Sequence, residues 1–407
     1  MAPHVVILGG GFGGLYAARA LRNAAVSITL IDRHNYHLFQ PLLYQVATAA
    51  LNPSDIAAPI RGILSRQKNV SVILGEASAI EPAQRLVHLA DGAKIAYDVV
   101  IVATGATHSY FAHPEWERNA PGLKTIDDAL EIRRRVLLAF EAAERESDSR
   151  AQQALLTFVI VGGGPTGAEL AGALSEIARQ TMLRDFRRIN PSSARVILVE
   201  GKDRVLPVYP PELSEKARKQ LERLGVEVIT NAVVTSLSDT EVCIGDRTIP
   251  TRTVLWAAGV EASPLARSLG VPLDRAGRVV VNDDLTIPGH DDVFDVGDLA
   301  ALKYKDGLVP GVAPAAIQEG IHAARSIAAN SHTPFRYRDK GSLATIGRAA
   351  AVADLGFVKL SGFIAWFAWL AIHIFFLIGF RNRFLVITQW AWAYMTYQRG
   401  ARLITGR

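Results

Sequence analysis

Two glycine runs contain the residues best suited to chemistry. Gly9-Gly10-Gly11-Phe12-Gly13-Gly14 fits G-x-G-x-x-G, and Asp32 follows 18 positions after Gly14. Gly162-Gly163-Gly164-Pro165-Thr166-Gly167 repeats the pattern, with Glu200 lying 33 positions after Gly167. In such a loop the first glycine turns strand tightly into helix, the second lets a pyrophosphate approach the backbone, and the third lets helix and strand pack closely. The phosphates then sit at a helix N-terminus, where free N–H groups and the dipole favour anions. An acid ending the second strand accepts hydrogen bonds from ribose hydroxyls. Gly9, Gly11, Gly14 and Asp32 therefore make one expected dinucleotide cradle, and Gly162, Gly164, Gly167 and Glu200 make another. An acid at position 200 repels a 2′-phosphate and favours NADH over NADPH, although Lys202 and Arg204 stand nearby. The lone cysteine, Cys243, excludes an internal disulfide, a CxxC redox pair and a cysteine-based zinc site.

The elements that must position these loops are legible as a repeat. Residues 4–9 (HVVILG) read as a buried parallel strand, 14–24 as a helix and 27–32 as a second strand. The same order returns at 155–161, 166–179 and 195–200, with Gly9 and Gly162 153 positions apart. The late arrival of Glu200 fits a longer crossover over 180–193. Further strands are expected at 99–102, 254–257 and 293–298, and a charged helical stretch at 127–153. The fold class is α/β, with two Rossmann-like dinucleotide-binding domains and a C-terminal helical membrane-attachment region. Two cradles in one chain imply two cofactors that exchange electrons: FAD, kept bound, and a nicotinamide that comes and goes. The alternative is one working cradle and one decayed copy.

The chain of 407 residues has 49% hydrophobic and 20% charged residues, which suits a globular protein of two or three domains. Its net charge of +5 is unevenly placed. From Gly341 onward seven Lys/Arg stand against one acid, so the preceding body carries −1. A neutral body with a basic, aromatic tail does not suit nucleic-acid binding. Residues 362–380 contain one polar side chain, His373, and are stopped by Arg381 and Arg383; a second apolar stretch runs from 384 to 397. As a helix, 362–380 would be roughly 28 Å long, close to the roughly 30 Å core of a bilayer, so a single span is one reading. A monotopic attachment through 361–405 is preferred. The tryptophans at 366, 369, 390 and 392 suit an interface, and Arg381, Arg383, Arg399 and Arg402 suit anionic headgroups. Gln389 and Thr396 share a face that could stay wet, and Gly362, Ala365 and Ala368 form a strip that another helix could approach. The first apolar run leads straight into glycines with no basic residues before it, so no secretory signal is read and the body is expected on the cytoplasmic side.

The chain resembles the type II NADH dehydrogenases, single-subunit, non-pumping NADH:quinone oxidoreductases within the FAD-dependent pyridine nucleotide-disulfide reductase-like superfamily. The resemblance rests on 9–14, on 35–47 (NYHLFQPLLYQVA), on Ala103-Thr104-Gly105, on 162–172 (GGGPTGAELAG), on Trp256-Ala257-Ala258-Gly259, on 293–298 (VFDVGD), on 343–347 (LATIG) and on the tail. It implies a discontinuous FAD domain (1–113 and 262–340), an NADH domain (114–261) and a membrane-anchoring region (341–407). It implies that Thr104 and Gly105 close over FAD, that Asp298 meets its ribityl–pyrophosphate region, and that Gly259 belongs to the cofactor site. Glu169 is expected near the nicotinamide, though its place early in a helix also suits a carboxylate that complements the dipole. The family's A-Q-x-x-x-Q run is here Ala313-Pro314-Ala315-Ala316-Ile317-Gln318: Gln318 is kept for the quinone side, while Pro314 replaces the first Gln. The implied reaction passes hydride from NADH to flavin N5 and then two electrons to a membrane quinone, in a homodimer at the cytoplasmic face of the cell membrane. Two other readings remain open from the residues: a soluble FAD-dependent reductase serving a protein acceptor, and a flavin-binding signalling or assembly factor.

Overall fold

A computed structural model of the chain describes residues 2–305, 307–396 and 400–405. Contacts divide it into two units, the first made of 1–38, 57–107 and 260–340, the second of 39–56, 108–259 and 341–407.

The first unit is built on a six-stranded sheet. The strand His4–Leu8 lies between Ser27–Asp32 and Val99–Val102, parallel to both, with His4 opposite Ser27 and Val5 opposite Val99. Val70–Leu74 extends one side. His290–Asp295 extends the other, and Thr286–Ile287 closes that edge antiparallel. Val5, Val6 and Ile7 are completely buried, which is why this strand reads as an unbroken apolar run rather than an alternating one. The helix Phe12–Ala20 packs on the helix Ala313–Ala329. They approach so closely that a Cβ on Gly320 would lie 2.2 Å from the Gly13 carbonyl oxygen. Pro314 occupies the first turn of the later helix, where a missing N–H costs nothing.

The second unit repeats the plan with four parallel strands in the order Val226–Ile229, Arg195–Val199, Thr157–Val161, Thr253–Trp256. The helix Pro165–Glu176 continues as a π-turn over Ile177–Thr181, and the turn Pro191–Ser193 completes the long crossover before Arg195. The charged stretch is two helices, Ile126–Arg145 and Ser149–Leu155, because Thr125 and Asp148 each cap a new start. An antiparallel sheet of Ser342–Gly347, Ala350–Asp354 and Lys359–Ser361 packs on Pro165–Glu176. A Cβ on Gly172 would lie 1.6 Å from the Ile346 carbonyl oxygen, so this seam requires glycine.

The tail differs from the expected single helix over 362–380. The helix Phe363–Phe376 stops after 14 residues, and Phe380–Thr396 begins after a turn containing Gly379 (φ +91°). Arg383 Nε donates to the Leu377 carbonyl at 2.7 Å and satisfies part of the broken end. Fourteen residues span roughly 21 Å, and among the described residues no helix is long and apolar enough to cross a membrane. The single-span reading is therefore corrected. Of the small-residue strip, Ala365 is fully buried against Ala351 and Ala353 of the sheet.

Candidate functional site

Each glycine loop has the geometry its spacing requires. Gly9 turns at φ +101°, and a Cβ there would lie 2.4 Å from the Ala103 carbonyl oxygen. A Cβ on Gly14 would lie 1.9 Å from the Gly9 carbonyl oxygen, whereas Gly11 faces open space. Gly11 caps the helix Phe12–Ala20 without any side-chain cap, so the first turn's N–H groups remain for an anion. Asp32 pins the loop: Oδ2 accepts from Gly10 N at 2.5 Å and Oδ1 from His34 N at 2.6 Å. His37, 1% exposed, pins the same peptide from its other end, with Nδ1 donating to the Gly10 carbonyl at 2.9 Å. Burial lowers the His37 pKa, so the ring is neutral, and its edge meets Phe12 with centroids 5.1 Å apart. Thr104 Oγ1 is buried with no hydrogen-bond partner among the described residues. The open space at Gly11 and this waiting hydroxyl fit a bound dinucleotide. Gly105 adopts φ +68°, and its carbonyl accepts from Ser263 N at 3.1 Å.

Asp298 lies in the tight turn Gly297–Leu299 at the end of the strand His290–Asp295. Glu319 holds that turn, accepting from Gly297 N at 2.6 Å. Gln318, one residue earlier, is occupied by backbone. Its Nε2 donates to the Pro314 and Arg338 carbonyls, and its Oε1 accepts from Arg338 N, each at 3.0 Å.

The second loop matches the first. Gly162 turns at φ +106°, with a Cβ there 2.5 Å from Ala257, and a Cβ on Gly167 would lie 1.8 Å from the Gly162 carbonyl oxygen. Gly164 faces open space. Glu200 Oε2 accepts from Gly163 N at 2.7 Å and Oε1 from Lys202 N at 2.8 Å. Gly259 adopts φ +77°, with the Phe111 ring over it, 2.7 Å from where a Cβ would be. Arg204 pairs with Asp203 at 3.1 Å. Cys243 sits in the strand Glu241–Ile244 with Sγ 3.5 Å from Thr248 Oγ1.

A cavity of about 130 Å³ within the second unit gathers residues from distant parts of the sequence. Glu169 comes from the helix Pro165–Glu176, Thr345 from the sheet beside it, Tyr44 and Gln45 from the short helix Leu43–Ala47, and Trp366 and Trp390 from the tail. Trp390 Nε1 donates to Gln45 Oε1 at 2.7 Å, and Gln45 Nε2 donates to the Tyr44 hydroxyl at 2.9 Å. Glu169 Oε1 accepts only a long bond from Thr345 N, 3.4 Å. Burial pushes the Glu169 carboxyl up to about 8. Such a group is mostly protonated at neutral pH and can release or take a proton with little driving force. His373 lies beside this wall: it stacks on Trp369 at 4.2 Å and donates from Nδ1 to the Trp369 carbonyl at 2.6 Å. Burial lowers its pKa to about 4, so it carries no charge at neutral pH.

The tail's exposed face is phenylalanine-rich. Trp369 is buried, Trp366 and Trp390 are half-buried, and of the four tryptophans only Trp392 is exposed. Phe363, Ile364, Phe367, Phe375, Phe384 and Ile387 stand exposed instead. Arg402 pairs with Asp185 and Arg383 caps the end of the preceding helix, which leaves Arg381 as the exposed one of the two arginines in the first turn of Phe380–Thr396. Gln389 is half-buried and Thr396 exposed. Tyr397, Arg399 and Arg407 lie outside the described residues.

Residues 3–320 match the pyridine nucleotide-disulphide oxidoreductase family, and residues 340–397 match the NDH2 C-terminal domain. Two Mycobacterium tuberculosis proteins are full-length relatives. The type II NADH:quinone oxidoreductase NdhA is 47% identical, with 99% of this chain and 89% of that protein covered. The type II NADH:quinone oxidoreductase Ndh is 45% identical, with 98% and 90% covered. The fold is that of NDH2 from Plasmodium falciparum in complex with NADH, with TM-score 0.91 at 19% identity and both chains covered completely. The sulfide:quinone oxidoreductase of Aquifex aeolicus shares it more loosely, with TM-score 0.76 at 20% identity over 94% of this chain and 92% of that one. The chain belongs to the type II NADH:quinone oxidoreductase family.

Sequence reasoning passed over His37, Tyr44, Gln45, Asp295 and Glu319. The first three fall in the 35–47 run, and an intense local motif that fits neither strand nor helix was the available signal. Asp295 and Glu319 left none, because their pairing depends on how a strand end meets a helix.

Proposed function

We propose that the protein binds FAD non-covalently in the first cradle and NADH in the second, and passes two electrons from NADH to a membrane quinone. Segments 1–113 and 262–340 would hold FAD, 114–261 NADH, and 341–407 the membrane contact. Gly9, Gly11, Gly14 and the helix end behind them receive the flavin nucleotide's pyrophosphate, Asp32 its ribose, and Thr104, Gly105 and Asp298 the rest of its length. Gly162, Gly164, Gly167, Glu200 and Gly259 do the same for NADH. Bound flavin supplies the hydride acceptor and the two-electron donor. The chain's own task is alignment, exclusion of water and handling of protons.

The observation that carries the quinone reading is the cavity in the second unit, where Glu169 meets an aromatic wall contributed by the tail. A cavity with an aromatic wall and polar groups at one side, Glu169, Glu176 and Arg348 among them, suits a quinone ring with its two carbonyls. Glu169, whose carboxyl burial pushes up to about 8, would hold a proton for the reduced ring. Gln318, proposed for the quinone side, ties the Pro314 and Arg338 backbone together within the first unit. The exposed phenylalanines would enter the headgroup region of the cytoplasmic leaflet, with the tail lying in the surface and the protein a homodimer.

The test is rapid mixing of purified protein first with NADH, then with a quinone in liposomes, while the flavin spectrum is followed. Bleaching by NADH and fast recovery with quinone are expected. A colourless protein contradicts the cofactor assignment. Bleaching without recovery favours a flavin-binding factor in which turnover is incidental.

A further inference from the structure

Beneath the Gly297–Asp298 turn lie two acids that the proposed reaction does not use. Asp295 ends its strand completely buried, and neither carboxylate oxygen has a hydrogen-bond partner among the described residues. Glu319, 2% exposed, rises from the helix Ala313–Ala329 and accepts from Gly297 N. Burial pushes Asp295 well up, with the Glu319 charge adding to it, and burial pushes Glu319 up to about 7. The other groups facing the pair are Asp298, which repels a charge on Glu319, and Tyr337, whose own hydroxyl is raised in part by Glu319. The helix Phe12–Ala20 presents backbone at Gly13 to the neighbouring Gly320, not a charge. Glu319 sits on the Gly297 N–H, two residues past Asp295, and both carboxyls are buried with no cation acting on them among the described residues, so double ionisation is disfavoured and the two keep one proton.

We propose that Asp295 and Glu319 form one proton-holding pair that takes up a proton when negative charge arrives at the flavin seated on the Gly297–Asp298 turn, and releases it when that charge leaves. The proposal rests on the flavin reading of the first cradle. Transfer of hydride from NADH brings two electrons and one proton, adding one negative charge near the turn. The pair then binds one proton from water and passes from net −1 to net zero. When the quinone takes two electrons and two protons, one carried by the hydride and one from water, the pair returns its own proton to water. Glu319 is thus a positioning residue for the turn and, with Asp295, a proton counterweight to the flavin's charge.

The test compares the wild type with E319Q and D295V, each loaded with flavin, by measuring the flavin midpoint potential against pH. The amide of E319Q can still accept from Gly297 N, and D295V removes an acid that makes no hydrogen bond and places a β-branched residue in a strand. Extra proton uptake makes the wild-type potential fall up to about twofold more steeply with pH between about pH 6 and pH 8. Either variant should lose that extra steepness while keeping its flavin. Full flavin content with an unchanged slope in both variants overturns the proposal. If the wild type takes up no flavin, the parent reading falls and this proposal with it.

Discussion

Glu169 shows how burial sets the chemistry of one side chain. Among the described residues its one hydrogen bond is a long one from an N–H, so desolvation prevails and pushes the carboxyl up to about 8. If it holds the proton for the quinone, turnover should fall as pH rises above about 8. Glu169→Gln should slow flavin reoxidation roughly 10²-fold or more, as loss of a general acid does, and should remove that alkaline limb. Reoxidation at wild-type speed in the variant, followed by stopped flow, would exclude the role. Glu200 is held by geometry. Both its oxygens accept backbone N–H groups, which fixes the side chain where, in the proposed NADH cradle, a 2′-phosphate would come. Glu200→Ala should raise the kcat/KM ratio of NADPH to NADH roughly tenfold, the size of one lost charge repulsion of about 1.4 kcal/mol. Steady-state kinetics with both nucleotides measure it, and an unchanged ratio removes Glu200 from selectivity.

At the scale of elements, the tail is part of the second unit's packing as well as the proposed membrane contact. Trp390 bonds to Gln45, Asn382 Nδ2 donates to the Ser54 carbonyl at 3.3 Å, and Ala365 fills the sheet face. Deleting everything after 360 would therefore expose packed surface and confuse loss of attachment with loss of folding. A sharper variant replaces Phe363, Phe367 and Phe384, each more than half exposed, by Ser. Each exposed Phe that enters a lipid surface contributes about 1.5 kcal/mol or more, so roughly tenfold in partitioning is expected per side chain removed. Vesicle sedimentation should show the triple variant free in solution, with flavin content and activity toward a short-chain quinone retained. Vesicle binding equal to wild type would place the membrane contact elsewhere.

The whole molecule integrates these buried groups in its pH dependence. Glu169 and Glu319 have folded values raised to about 8 and about 7, above the usual 4.3 of an unfolded Glu. The folded state therefore binds more protons than the unfolded chain over that window, and stability falls as pH rises through it. Buried His37 and half-buried His322 and His373 are lowered instead; below about 6.5 they oppose folding because the unfolded chain takes up protons there. The thermal unfolding midpoint should be highest near pH 6 to 6.5, with a decline toward about pH 8 that Glu169→Gln reduces. A flat or rising unfolding midpoint between those values would contradict it. The nucleotide cradles were readable in the linear chain because their parts are close in sequence and impose residue types: Gly9 and Gly162 for positive φ, Gly14 and Gly167 for contact, Asp32 and Glu200 at strand ends. The apolar tail was readable by composition, but its break after Phe376 was not, since hydropathy continues through the turn at Gly379. The cavity around Glu169 and the Asp295–Glu319 pair came from folding alone. Their members lie far apart along the chain, and their properties arise from burial, which depends on neighbours that no local pattern specifies.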